Sequence, residues 1–430
     1  MLVAINLRGR IELHFDDSPR EAAFRSELRS WLDEHATPKS GNGDEPVGVF
    51  SAFLGDDEDA LVERARAWQR TLADAGWAGL SWPAEYGGRS AGLVEAMIAG
   101  EELARYDVPQ GVCDLGIAMI GPAIIAHGTE EQKQRWLRPM LRGDEIWCQL
   151  WSEPGAGSDL AGLATRADHD PATDDFVLNG QKVWTSGAQY SQFGLGVFRS
   201  NPDMPKHKGI TCLVVDMATP GIEIRPLRQL TGGAHFNEVF FTDARVPAAN
   251  VVGEVDEGWT VARTVMMNER FAASSVGSPT AFLEPLIELA RSTERAGRPA
   301  SEDPLVRQRL ADIHARSRIF DLTTARVRTS LSQGSIPGVE GSILKLVVSD
   351  LGSDAADLAV DILGLDGTIH AKERSRERWV TSYLGAHAMH IGGGTDNIQR
   401  NIIGEQVLQL PREPATDRDV PFRDLKGAGS

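Results

Sequence analysis

The chain has 430 residues, 41% of them hydrophobic and 24% charged, which suits a folded protein large enough for two or three domains. Asp and Glu total 61 against 44 Lys and Arg, and the formal charge of -17 would repel a phosphate backbone, so nucleic acid is not an expected partner. Cys113, Cys148 and Cys212 lie far apart and form no C-x-x-C pair, which argues against a disulfide framework or zinc site and for a reducing, cytoplasmic setting.

In chain order, the opening MLVAINLRGR holds too short an apolar stretch for a secretory leader. Nowhere does an apolar run reach the roughly 18 residues of a membrane span, so no membrane association is expected. From Pro19 to Gly143 the pattern is helical, with Phe24, Leu28, Trp31 and Leu32 on one face. Thr129 and Gln132 have capping-box spacing ahead of Trp136 and Leu137, so a helix is expected to begin there, with His127 beside it in a structural role. Residues 1–145 are thus expected to form an N-terminal helical domain.

Residues 146–257 read as a small β domain. Phe176-Val177-Leu178 and Val183-Trp184 flank Asn179-Gly180, a spacing that predicts a hairpin with its turn at Asn-Gly. Ile210 to Val215 reads as a buried strand, Ile222 and Ile224 alternate with charge, and Val239-Phe240-Phe241 forms a further apolar run. Helical periodicity returns from 258 to 410, clearest at Leu344, Val347, Val348, Leu351, Ala355, Leu358 and Ile362. A polar, Pro-containing tail, 411–430, is expected to be less ordered. The fold class expected is α+β: an N-terminal helical domain, a small middle β domain and a C-terminal helical bundle.

Chemistry concentrates in Trp147-Cys148-Gln149-Leu150-Trp151-Ser152-Glu153-Pro154-Gly155-Ala156-Gly157-Ser158-Asp159. Closely spaced glycines after a strand let the backbone turn tightly and aim its amides at an anion, with Ser152 and Ser158 as added donors. Taken alone, the same stretch also reads as an ordinary β-turn. Downstream, Lys182-Val183-Trp184-Thr185-Ser186-Gly187 offers an indole for a flat ring and a hydroxyl for its edge, or else a core tryptophan. His387 and His390, three residues apart, have no carboxylate or cysteine in metal-type spacing and read as packing residues, so no metal is expected. Lys206, His207 and Lys208 would meet an anionic ligand or form a solvated loop. No motif of a hydrolase, zincin or P-loop kinase is present.

The two segments, their order and spacing, and Phe236-Asn237-Glu238-Val239-Phe240-Phe241 with Arg245-Val246-Pro247 together resemble the acyl-CoA dehydrogenase family over nearly the whole chain. That resemblance implies FAD as cofactor, an acyl-CoA substrate, a place in fatty acid or lipid catabolism, an electron-transfer flavoprotein as acceptor, and a homo- or hetero-oligomer. It implies that Gln149, Trp151, Ser152, Gly157 and Ser158 line the flavin and its pyrophosphate. Trp184 would cover one ring face, with Thr185 and Ser186 at the ring edge, while Thr395 and Asn397 would touch the dinucleotide. Ser158, Arg270 and Gly393 would meet the substrate.

Many family members carry the catalytic glutamate directly before a Gly-Thr pair near the C-terminus. Here that stretch is Ile391-Gly392-Gly393-Gly394-Thr395-Asp396-Asn397, and Gly393 stands in the base's place with only its backbone N–H to offer. A second branch carries its base before an arginine on an earlier helix, and Met266-Met267-Asn268-Glu269-Arg270 makes Glu269 the candidate catalytic base. The bland alternative is a solvated Glu-Arg pair. Two elements that supply the dinucleotide from a neighbouring subunit are altered: Arg295-Ala296-Gly297-Arg298-Pro299 lacks an aromatic, and Asp361 replaces a glutamine. A weakly catalytic partner subunit, and a flavin oxidase or monooxygenase on the same fold, therefore stand as alternatives.

Overall fold

The computed structural model describes residues 16–39, 58–109, 111–274, 280–333, 340–369, 374–414 and 417–425. Five helices come first: α1 (Pro19–His35), α2 (Glu58–Asp74), α3 (Leu93–Leu103), α4 (Gly121–His127) and α5 (Glu130–Leu141). Ser18 caps α1 reciprocally with Glu21, and Pro19 occupies the first turn, where its missing N–H costs nothing. Leu28 and Leu32 are buried, and Phe24 and Trp31 pack beside them. The capping box expected at Thr129 and Gln132 is present at the start of α5, and the Gln132 amide also donates to the Ala249 and Val251 carbonyls. His127 meets the Thr264 hydroxyl at 2.7 Å.

A seven-stranded sheet follows: β1 (Trp147–Leu150), β2 (Arg166–Asp170), β3 (Asp175–Ser186), β4 (Phe193–Arg199), β5 (Ile210–Asp216), β6 (Ile222–Leu227) and β7 (Phe236–Pro247), in the order β1-β4-β2-β3-β7-β6 with β5 also on β4. Of its pairings, β1 and β2 meet β4 in parallel and the others are antiparallel. β5 is buried from Ile210 through Val215, as its apolar run requires.

The Asn179-Gly180 hairpin does not form. β3 runs straight through these residues because its partner is the distant β7, and the Asn179 amide exchanges hydrogen bonds with Asp243 across that ladder. Gly180 instead makes a bulge at φ +143°, where a Cβ would stand 2.7 Å from the Thr165 hydroxyl. The turn falls earlier, at 171–174, between β2 and β3.

The remaining elements are α6 (Gly258–Ser274), α7 (Thr280–Ser292), a short hairpin of β8 (Glu294–Arg295) and β9 (Arg298–Pro299), then α8 (Pro304–Ser332), α9 (Glu340–Leu363), α10 (Arg374–Ile391) and α11 (Asp396–Ile402). Leu351, Ala355, Leu358 and Ile362 of α9 are buried against Leu286, Val306 and Trp379. One core joins α1 and α5 to β1, β4, β5 and α6, so α6 is held between the sheet and the helices on either side. The tail departs from expectation: Phe422 is buried under the Arg199 guanidinium, 4.0 Å from its ring centre, and its N–H donates to the Met204 carbonyl. Among the described residues no helix is long and apolar enough to cross a membrane.

Candidate active site

The segment from Gln149 to Ser158 leaves the end of β1 and turns back at once. Glu153 and Ala156 exchange backbone hydrogen bonds at 3.0 Å around Pro154-Gly155. What fixes this turn is Glu153, which accepts from the Ala164 and Thr165 amides at 2.6 and 3.0 Å and from the Lys182 ammonium at 2.8 Å. Lys182, fully buried on β3, donates its other hydrogens to the Trp151 and Val197 carbonyls. Burial raises the Glu153 carboxyl, but Lys182, the Ala164 amide and the Thr165 side chain outweigh it and hold it below the usual carboxylate range. Burial likewise pushes Lys182 down, against the pull of Glu153. A buried pair with every hydrogen bond directed is thus the rivet between the turn and β3. Glu153 and Lys182 both lie in the motif segments, but nothing local marks them as a pair. The available signal was a lysine in phase with the apolar Phe176 and Leu178.

Above this rivet, Trp184 is the anomaly of the sheet. It has φ +62°, a left-handed conformation rare for a bulky residue, at the second register shift of β3, and its indole is 61% exposed with Phe236 edge-on at 6.0 Å. A strained aromatic held open to solvent has a ligand-facing role as its simplest physical reason. Ser186 follows, half-buried, while Thr185 faces inward at 1% exposure, with its carbonyl accepting from Asn237. Trp151 is buried and Ser152 half-buried, with the Ser152 carbonyl accepting from the Val183 amide; Gly157 and Ser158 are exposed. Gln149 reaches the Met119 sulfur at 3.7 Å.

This arrangement fits a flavin on geometry alone. The flat exposed face of Trp184 lies one strand segment from a turn whose Gly155 and Gly157 have nothing within 4 Å of a would-be Cβ, leaving backbone open to close approach. In contrast, Lys206 pairs with Asp159 and Asp417, and Lys208 with Glu257, so this basic loop is already neutralised.

The helical side brings together what the sequence separates by 124 positions. Glu269, on α6, is half-buried, and a Cβ placed on Gly393 would lie 3.6 Å from Glu269 Oε1. Gly393 and Gly394 have φ +66° and +82°, and the Gln399 amide donates to the Gly393 carbonyl at 2.7 Å. The Thr395 hydroxyl caps α11 by accepting from the Ile398 amide, and Asn397 is exposed beside Arg400. The Arg270 side chain lies outside the described residues. His390 is not a simple packing residue: Nδ1 stands 2.6 Å from Asp396, a carboxylate that the helix break brings back onto it.

At the altered dinucleotide positions, Ala296 and Gly297 both have positive φ and make a two-residue turn between β8 and β9. Asp361 pairs with Arg295 at 3.6 Å and Arg309 at 3.7 Å.

Residues 18–144 match the acyl-CoA dehydrogenase N-terminal domain, 148–244 its middle domain and 256–408 its C-terminal domain. The acyl-CoA dehydrogenase IpdE1 of Mycobacterium tuberculosis is 39% identical over 401 residues, 91% of this chain and 98% of that protein. Among solved structures, the ChsE4-ChsE5 complex from Mycobacterium tuberculosis is similar with a TM-score of 0.76 and 31% identity, covering 93% of this chain and 100% of that one. The Tcur3481-Tcur3483 steroid ACAD has a TM-score of 0.77 and 27% identity over the same shares. With the fold, the exposed Trp184 and the helix-borne carboxylate, these matches show that the chain belongs to the acyl-CoA dehydrogenase family of oxidoreductases.

Proposed function

We propose that the chain catalyses the α,β-dehydrogenation of an acyl-CoA thioester, with Glu269 as base and FAD as cofactor. The observation that carries this reading is the carboxylate of Glu269 beside Gly393: the space that a side chain at Gly393 would enter is the space that Glu269 already reaches. Glu269 takes the α-proton, the electron pair of that C–H bond becomes the new double bond, and the β-hydrogen leaves with its own pair. Bound FAD would accept that hydride and pass its electrons to an electron-transfer flavoprotein. The Gly393 N–H would stabilise charge at the thioester oxygen, and Arg270 would orient the substrate. Trp184, Ser186 and the Gln149–Ser158 turn would hold the flavin ring, with Thr395 and Asn397 toward the dinucleotide.

A bulky polycyclic acyl group is the substrate we infer, supported by the likeness to a steroid enzyme. The test is anaerobic mixing of the flavin-loaded protein with straight-chain, branched and polycyclic acyl-CoA esters, followed at the flavin's visible band. Bleaching fastest with a polycyclic ester is expected. A protein that no ester bleaches is no dehydrogenase, and rapid reoxidation by oxygen would favour the oxidase alternative.

The ion pairs of Asp361 favour a second element of the reading, a hetero-oligomer. With Arg295 paired to Asp361 and Arg309 shared between Asp357 at 2.6 Å and Asp361 at 3.7 Å, this chain offers little charge to a pyrophosphate at that place, so a different chain would complete the dinucleotide's far end. The likeness to a two-protein complex supports this. A stoichiometrically yellow homo-oligomer, purified without any second chain, would contradict it.

A further inference from the structure

Three successive glycines, 392 to 394, are the least ordered backbone a site could choose, and each has the most conformational freedom to lose. Something outside the loop must hold it. Its two ends meet directly: His390, on the last turn of α10, places Nδ1 2.6 Å from Asp396 Oδ2, at the first turn of α11. The other oxygen, Oδ1, accepts from the Lys345 ammonium at 2.7 Å, with Lys345 itself 9% exposed on α9. On the far side of the imidazole, Nε2 meets the Ser353 hydroxyl at 2.8 Å, and the Ser349 hydroxyl donates to the Met389 carbonyl at 3.0 Å. Lys345, Ser349 and Ser353 are four residues apart, so one polar stripe of α9 receives both ends of the glycine loop.

We propose that Lys345, His390 and Asp396 are positioning residues: a clasp that closes the loop carrying Gly393 and Thr395 and holds the Gly393 backbone opposite Glu269. The proposal rests on the function read above for Gly393 and Glu269. Nothing in the clasp touches the reacting atoms. It acts by removing the loop's freedom, since a donor misplaced by an ångström loses much of its effect in a transition state. A metal reading has some geometric basis, because ligand atoms of Asp350, His390 and Asp396 lie within 4.8 Å of one another. Against it, both oxygens of Asp396 are already engaged, Oδ1 by the Lys345 ammonium and Oδ2 by His390.

The test is hydrogen–deuterium exchange on the full chain together with steady-state kinetics. Asp396→Ala is expected to speed amide exchange across 391–398 by about tenfold or more, the loss of a charge-assisted hydrogen bond, while the sheet is unaffected. In the flavin-loaded protein, kcat should fall about a hundredfold with little change in KM. Asp396→Asn, which keeps an acceptor for Lys345, should recover part of both, and Lys345→Met should resemble Asp396→Ala in milder form. Unchanged exchange in Asp396→Ala would overturn the clasp, as would zinc chloride slowing exchange of this segment in the unaltered chain. Exchange needs no turnover, so it decides the clasp even if no acyl-CoA bleaches the protein. Should the loop loosen while kcat stays intact, the clasp stands and the role given to Gly393 falls.

Discussion

The wall around Trp184 and the surface around Asp361 would serve two ends of one cofactor, yet they are built in opposite ways. At the wall, charge is buried: Lys182 is fully enclosed, Glu153 nearly so, and Lys182 donates to Glu153 and to the Trp151 and Val197 carbonyls. Around Asp361 the charges are exposed: Asp361 meets Arg295 and Arg309 at 3.6 to 3.7 Å, and Arg309 pairs more closely with Asp357 at 2.6 Å. A buried, fully directed pair fixes one geometry, whereas exposed pairs are weak and exchangeable. If the flavin lies as proposed, its ring end would rest on a fixed surface and its far end on exchangeable charges, so the far end is the place to look for a partner's contribution.

The strongest way to break this comparison is to remove the rivet. Lys182→Met should strand the Glu153 carboxylate in the interior and lower stability by about 3–5 kcal/mol, read from urea denaturation, with flavin lost in parallel. Adding Glu153→Gln should restore part of the loss, because it removes the stranded charge while its one amide oxygen keeps one of the two bonds from Ala164 and Thr165. A cost below about 1 kcal/mol for Lys182→Met would class the buried pair with ordinary surface pairs.

Trp184 separates holding a flavin from holding the fold. Trp184→Gly relieves a left-handed tryptophan and adds chain entropy, effects that offset to within about 1 kcal/mol of stability. Flavin affinity should nevertheless fall by about tenfold or more as the aromatic face is lost, measured by fluorescence titration. Equal losses of stability and affinity would make Trp184 a core residue after all. The smallest effect belongs to the far end, where Asp361→Asn should change stability by less than about 1 kcal/mol. It should also raise the flavin content of the chain purified alone, by releasing Arg295 and leaving Arg309 to Asp357 alone; unchanged content would mean that Asp361 is not what keeps the dinucleotide away.

Much of the fold was legible because local signals and burial agree. The apolar stripe of α1, the capping box of α5 and the buried run of β5 each announce an element that tertiary packing then uses. Asn179-Gly180 misled because turn propensity is local, whereas the ladder to β7 lies some sixty residues away and prevails through a bulge. The tail misled similarly, its one aromatic finding Arg199 across the molecule. In the site, the tight turn after β1 and the tryptophan of β3 both lie within the segment from Gln149 to Ser186 and could be read. The nearness of Glu269 to Gly393, and of Lys345 to Asp396, could not, since helix packing alone brings them together. His390 was set aside for want of a carboxylate in metal-type spacing, while its partner stood six residues on, beyond the glycine loop.

Glu269 decides whether the proposed chemistry is possible. With the acyl-CoA ester that bleaches the unaltered protein fastest, Glu269→Gln should keep its flavin and its visible spectrum but show no substrate bleaching, since the amide cannot take the α-proton. Full bleaching at the original rate in that variant would contradict the assignment of the base and, with it, the meaning given to the glycine at Gly393.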